Sequence, residues 1–332
     1  MRKSVELKII EPIYSTYHYQ GCAGAIIADN PSIRNWYLNN AVILQCDRNF
    51  LHGKNSPEVS VKDSWGWSNP CIEKKPFFPQ FLGNSTNAVI RNLLDAGYYV
   101  NFIGVDDYYI EGKSWYQEKH FSHDCLICGY DQEEKTYSLY AYDKSWVYRV
   151  FKTSQKSFEA GRKAEIEKGN YGIFWAYKPL KDEVKLVPKI IYKKIKEYLD
   201  SSLDQYPENI NGMVYGVAVY DYIAIYLNKL FDGSIPYEKM DKRIFRLIWE
   251  HKKAMLERIS SVEDLLKMGH VISDKYEELV KKSDDMRMMY ASHYIKRRDS
   301  VLPIIKEKLI DLKKEEINIL NMFISKMEEI LK

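Results

Sequence analysis

The sequence predicts an α+β protein in which a strand-rich first part precedes a helical C-terminal region. Three observations predict it. Between Tyr98 and Phe151, short runs of β-branched and aromatic residues recur, each bounded by turn residues. From about Lys181, apolar residues return at three- and four-residue spacing instead, the period of a helix face. Gly, Asn, Pro and Trp are concentrated before that point, where frequent turns are expected. The predicted division is a first domain over residues 1–180 and a helical region over residues 181–332.

The elements follow in order. In "QGCAGAII", Gly21 permits a tight turn and Ala23, Gly24 and Ala25 allow close packing, so a helix is predicted to start at Cys22. "NAVIRNLLDAG", from Asn87 to Gly97, reads as a helix with a glycine stop. "YYVNFIGVD", "HDCLICGYD", "TYSLYAYD" and "KSWVYRVF" read as strands. The turn "DQEEK" joins the second to the third and makes them neighbours. In the second half, "IIYKKIKEYL", "RIFRLIWEHKKAMLERI" and "IIKEKLIDLKKEEINILNMFISKMEEIL" read as amphipathic helices whose charges form solvated faces.

Composition excludes several classes. The most apolar segment, "GMVYGVAVYDYIAIYL", is interrupted by Asp221 and falls short of the ~20 apolar residues a membrane span needs. "MRKSVELKIIEPIY" lacks the apolar region of a secretory signal. A soluble cytoplasmic protein is therefore expected, with no membrane partner. A formal net charge of +3 on 332 residues gives no argument for nucleic acid. Five irregularly spaced cysteines do not make a disulfide framework, so their reactivity becomes the question.

Cys22, at the predicted helix start, is the candidate nucleophile, because a helix N-terminus and a nearby imidazolium both stabilise a thiolate. The plain alternative is a small buried core cysteine. His123 opens the strand "HDCLICGYD", and Asp143 ends the next one, "TYSLYAYD". Adjacent strands can present the two side by side as base and orienting acid. His18 is an alternative base, and Asp131 an alternative acid that reads better as a turn residue. His120, His123, Cys125 and Cys128 imitate a zinc set, but strand alternation points Cys125 and Cys128 to opposite faces, so no metal is expected. Cys46 and Cys71 have no evident partner in the sequence.

A cysteine after "QG", followed about a hundred residues later by His123, five residues and "GY", resembles the papain-like cysteine protease fold. More narrowly, the whole chain resembles the papain-like acyltransferases of natural-product assembly, of the butirosin biosynthesis protein H type, which add a helical C-terminal region. The segments "GMVYGVAVYDYIAIYL" and "YEELVKKSDDMRMMYASHY" look like that region. The chain is also similar in size and setting to the cysteine-protease-fold enzyme of closthioamide assembly. The resemblance implies a triad of Cys22, His123 and Asp143, no cofactor, and transfer of an acyl or peptidyl group. The donor would be the phosphopantetheine thioester of a carrier protein, and the acceptor a small amine.

One departure concerns the oxyanion hole, since Thr16 stands where papain-like proteases place a glutamine. Gln20 and the backbone N–H of Cys22 are the remaining donors. The tryptophan-rich stretch between about Ser60 and Phe78, or the helical half, is expected to cover the cleft, and Trp65, Trp67 and Trp146 read as core or cleft wall. The basic segments "KIIYKKIK" and "HYIKRRDS" are candidate docking sites for an acidic carrier protein. A cysteine peptidase or amidase using the same triad, and an inactive scaffold binding a partner through its helices, stay open as alternatives.

Overall fold

The structure is a computed structural model that describes residues 2–26, 30–64, 69–82, 85–170, 173–180, 182–201 and 212–331. Trp65 and Trp67 lie outside the described residues. The elements begin β1 (Ser4–Glu6), α1 (His18–Gly24), α2 (Pro31–Asn40), β2 (Leu44–Asp47), β3 (Ser60–Val61), β4 (Ile72–Phe77) and α3 (Thr86–Asp95). There follow β5 (Tyr99–Asp106), β6 (Ser122–Asp131), β7 (Thr136–Tyr142), β8 (Tyr148–Ser154), α4 (Gln155–Glu167) and β9 (Phe174–Pro179). The chain continues with α5 (Pro188–Asp200), β10 (Met213–Tyr215), α6 (Val219–Phe231), α7 (Ile244–Leu266), α8 (Val271–Lys296) and α9 (Val301–Ile330). All described strand pairs are antiparallel, so the architecture is α+β.

The chain divides into two compact units, Met1–Arg34 with Trp65–Val184, and Asn35–Ser64 with Lys185–Lys332. The boundary expected at 180/181 therefore falls at 184/185, and residues 35–64 belong with the helices rather than with the strand-rich part. The reason is pairing over long sequence separation: β2 hydrogen-bonds to β10, with Val214 opposite Cys46. No local pattern in residues 35–64 announces that partner.

In the first unit the sheet runs β4-β9-β5-β6-β7-β8, with β1 paired to the far end of β6. β6 is central, and Cys125 to Tyr130 are all buried, which is why that strand reads as a continuous apolar run. On one face Phe102, Ile127, Leu139 and Phe158 form a core with Ile90 and Leu94 of α3. α1 packs on β6 and β7. Gly97 ends the α3 segment at φ +81°, a conformation that costs glycine nothing. Ser154 caps α4 by accepting from the Ser157 N–H at 3.0 Å.

Two local expectations change. α1 starts at His18, so Cys22 is its fifth residue and not its first. β8 starts at Tyr148 rather than Lys144, because residues 143–147 form the hairpin turn from β7. Asp143 Oδ1 accepts from the amides of Ser145 and Val147 at 2.8 and 2.9 Å, and Trp146 takes a left-handed φ of 59°.

The second unit is built on α5 to α9, with α7 against α8 and α9 against α5, α6 and α8. Ile191, Ile195 and Tyr198 form the buried stripe of α5, whose first turn holds Pro188. On α9 the stripe runs Leu302, Ile305, Leu309, Leu312, Glu316, Leu320 and Phe323, so a carboxylate occupies an apolar position. Glu316 accepts hydrogen bonds from Tyr198 (2.9 Å), Tyr220 (2.7 Å) and Tyr276, and pairs with the buried ammonium of Lys252. Arg258 of α7 holds the carbonyls of Leu38 (2.5 Å) and Ala41 (3.0 Å), capping the last turn of α2. Among the described residues no helix is long and apolar enough to cross a membrane.

Candidate active site

The β5–β6 register places Val105 opposite His123 and Asp106 opposite Ser122. The chain then leaves β5 as a 3-10 turn at Asp107–Tyr109, and the Asp107 N–H donates to Phe121 O at 2.8 Å. That turn brings Asp107 Oδ2 to 2.5 Å from His123 Nδ1. Asp107 is buried, and the buried ammonium of Lys113 lies 3.4 Å from its other oxygen. A carboxylate on Nδ1 fixes that nitrogen as the donor and leaves Nε2 as the acceptor. The neighbouring residue repeats the pattern, since Asp106 Oδ2 lies 2.8 Å from His120 Nδ1 and 2.8 Å from Lys168 Nζ.

Asp143 is therefore not brought to His123. Its carboxylate serves the β7–β8 turn and pairs with Arg149. Burial alone would raise its proton affinity, but the Val147 and Ser145 amides and Arg149 outweigh it and hold the carboxyl below its usual range. Asp107 takes the place expected of Asp143. The sequence signal that would have found it is "VDD" at the end of a strand paired to "HFSH", where two successive aspartates meet two histidines three residues apart.

Cys22 is buried, and its Sγ lies 3.3 Å from Tyr148 Oη, its hydrogen-bonding partner among the described residues. The Tyr148 ring covers this turn of α1 so closely that a Cβ on Gly21 would sit 2.5 Å from it. Burial pushes the Cys22 thiol up to about 12, with the Tyr148 hydrogen bond acting in the opposite sense. Cys22 is thus a protonated thiol at rest rather than the activated thiolate expected of a helix start. The same geometry bears on the oxyanion donors. Cys22 lies beyond the first turn, where amides enter the helical ladder and are no longer orphan donors. Gln20 is buried two positions earlier, and residues two apart on a helix do not share a face.

His18 does share the face of Cys22, being four residues before it. Its ring stacks on His123 with centroids 5.0 Å apart and planes at 26°, and meets Tyr148 edge-on at 5.7 Å. Burial, reinforced by the charges of Lys113 and His123, holds His18 well below the ordinary imidazole range. Cys22, Tyr148, His18, His123, Asp107 and Lys113 thus form one continuous group in the first unit.

The other candidates fall elsewhere. Asp131 accepts from the amides of Glu133 and Glu134 in the β6–β7 turn. Cys46, Cys71, Cys125 and Cys128 are buried and unbridged, and Cys128 Sγ lies 3.5 Å from Ser138 O. Trp146 is exposed at the hairpin tip. Among the described residues no cluster of three His, Cys, Asp or Glu side chains is arranged to hold a metal ion. No protein-family model matches the chain, and no curated protein matches it.

Proposed function

We propose that this protein is a papain-like, cysteine-dependent acyltransferase in which Cys22 is the nucleophile, His123 the base and Asp107 the orienting acid. The observation that carries this reading is the 2.5 Å contact between Asp107 and His123 Nδ1, on a strand against which the Cys22 helix packs. A carboxylate-held imidazole whose Nε2 is left as the acceptor has the form needed to deprotonate a thiol. Because Cys22 rests as a thiol, His123 acts as a general base when the substrate enters, rather than by holding a standing thiolate–imidazolium pair.

In the first half-reaction His123 Nε2 takes the Sγ proton as sulfur attacks a thioester carbonyl, and the same proton leaves with the departing thiol. In the second, an amine attacks the acyl-Cys22 carbonyl and Cys22 is released. The donor we assign is the phosphopantetheine thioester of an acyl or peptidyl carrier protein, and the acceptor a small amine. The test is intact-mass analysis after mixing the protein with acylated carrier proteins. Acyl adducts on Cys22 that turn into amide on adding an amine support acyl transfer. Adducts that turn over with water alone, whatever amine is present, would make the protein a hydrolase, and a lack of adducts would overturn the reading.

A further inference from the structure

We propose that His18 is a second catalytic imidazole of this site, placed to take the proton from the acceptor amine as it attacks the acyl group on Cys22. The inference rests on the acyl-transfer reading above and assigns a residue to its second half.

His18 lies one turn before Cys22 on the same helix face, so its ring and the thiol project from the same side of α1. Stacking on His123 and the edge contact with Tyr148 fix the ring in place. The ring hydrogen-bonds to the Asp124 backbone, while its Nδ1 is buried and has no hydrogen-bond partner among the described residues. A phenyl ring would make the same stack but not the Asp124 hydrogen bond, so packing and that bond account for one ring nitrogen and leave the unsatisfied Nδ1 without a structural role.

The two imidazoles differ in one respect that divides the chemistry between them. His123 has a carboxylate on its ring, which supports the positive charge it acquires from the thiol. His18 has none among the described residues, and burial favours its neutral form. When an amine attacks a thioester, the tetrahedral adduct carries a positive nitrogen and expels either the amine or the thiolate. Removing the nitrogen's proton commits it to losing the thiolate. In the proposed step the N–C bond forms, His18 Nδ1 takes one N–H proton, the C–S bond breaks, and the Cys22 thiolate recovers that proton from His18. The proton count closes, and no further reactant is needed.

The experiment compares wild type, His18→Phe and His18→Gln in the full chain, using an acyl N-acetylcysteamine thioester as donor and propylamine as acceptor. Intact mass reads acyl-Cys22, and chromatography reads amide against free acid. The expected result is acylation within about threefold of wild type in both variants, with amide formation down about a hundredfold and acyl-enzyme accumulating. A purely structural role would not separate the two half-reactions. Amide formation within about threefold of wild type in either folded variant would overturn the proposal, as would equal loss of acylation and aminolysis. Should His18→Phe fail to fold, His18→Gln decides alone. Wild type that forms no acyl-Cys22 from any thioester would remove the acyl-transfer reading itself, and this inference with it.

Discussion

Asp107 and His123 stand at the facing ends of adjacent antiparallel strands and meet at 2.5 Å, although 16 residues separate them in sequence. Asp143, which follows the next strand, β7, turns instead to the amides of its own hairpin.

Asp107→Ala is accordingly expected to lower acylation of Cys22 by about 10²–10⁴-fold, the usual worth of a positioned acid–base group. Asp143→Ala is expected to leave acylation per folded molecule nearly unchanged and to cost about 1–2 kcal/mol through the lost turn bonds. Intact-mass loading rates and urea midpoints on both variants check this. Inactive, well-folded Asp143→Ala beside active Asp107→Ala would restore the assignment made from sequence.

Tyr148 both buries the Cys22 thiol and hydrogen-bonds to it, two effects of opposite sign. Tyr148→Ala should speed iodoacetamide labelling of Cys22 near neutral pH by about tenfold for each pKa unit by which the thiol relaxes toward ~8.5. Tyr148→Phe keeps the burial and loses the hydrogen bond, so it should label more slowly than wild type. Peptide mapping distinguishes Cys22 from the other four cysteines. An Ala variant no faster than wild type would show that the ring does not control access.

Acid should destabilise the first unit in a definite window. Asp106 and Asp143 are each buried, which raises proton affinity, but Lys168 and His120 at one, and the Val147 and Ser145 amides at the other, win and depress both. A depressed folded value contributes stability that is fully present above the unfolded value, ~3.9, and is lost as pH falls through the folded one. His18, which burial keeps from protonating, adds a loss that begins near the unfolded imidazole value of ~6.5, so urea midpoints between pH 7 and 2.5 should decline from about pH 6.5 and then drop more steeply below about pH 5. Asp106→Asn should flatten the drop, and an equally steep fall in that variant would exclude Asp106 as a source.

Glu316 balances the buried Lys252 in the helical unit, and burial pulls the lysine's proton affinity down against that pairing. Glu316→Ala should cost about 3–5 kcal/mol because it strands a buried ammonium. Adding Lys252→Met should recover part of that loss. A single variant costing under about 1 kcal/mol would mean that water or a rearranged tyrosine satisfies the lysine.

Carrier docking can be tested at Lys193 and Arg298, both exposed. Lys194 is a poor choice, since it is held 3.1 Å from Glu197, as is Arg297, which stacks on Tyr237 at 4.5 Å. Reversing Lys193 and Arg298 should slow loading from a carrier-bound donor, more at low salt than at high, and leave a small thioester unaffected. Equal rates from both donors before and after reversal would make these residues solubilisers only.

The strands β5, β6 and β7, the helix α3 and the helical second half were legible because each carries its own periodicity: alternation or a continuous apolar run for strands, three- and four-residue spacing for helices. Cys22 and His123 were legible as chemical types at a suggestive separation. The acid was not, because choosing between Asp107 and Asp143 requires the β5–β6 register and the competing amides of the β7–β8 turn, and neither is written in local pattern. Residues 35–64 were misplaced for the same reason, since β2 finds its partner in β10 about 170 residues later. His18 was visible as a histidine one helical turn from Cys22, yet only the packed structure sets its ring on His123. The sequence by itself determined the α+β class, the helical second half and the residue types available for thiol chemistry, because short-range periodicity and composition encode them. Tertiary structure alone decided which acid holds His123, that Tyr148 covers the thiol and that two imidazoles stack, because those contacts depend on strand register and burial across long stretches of chain.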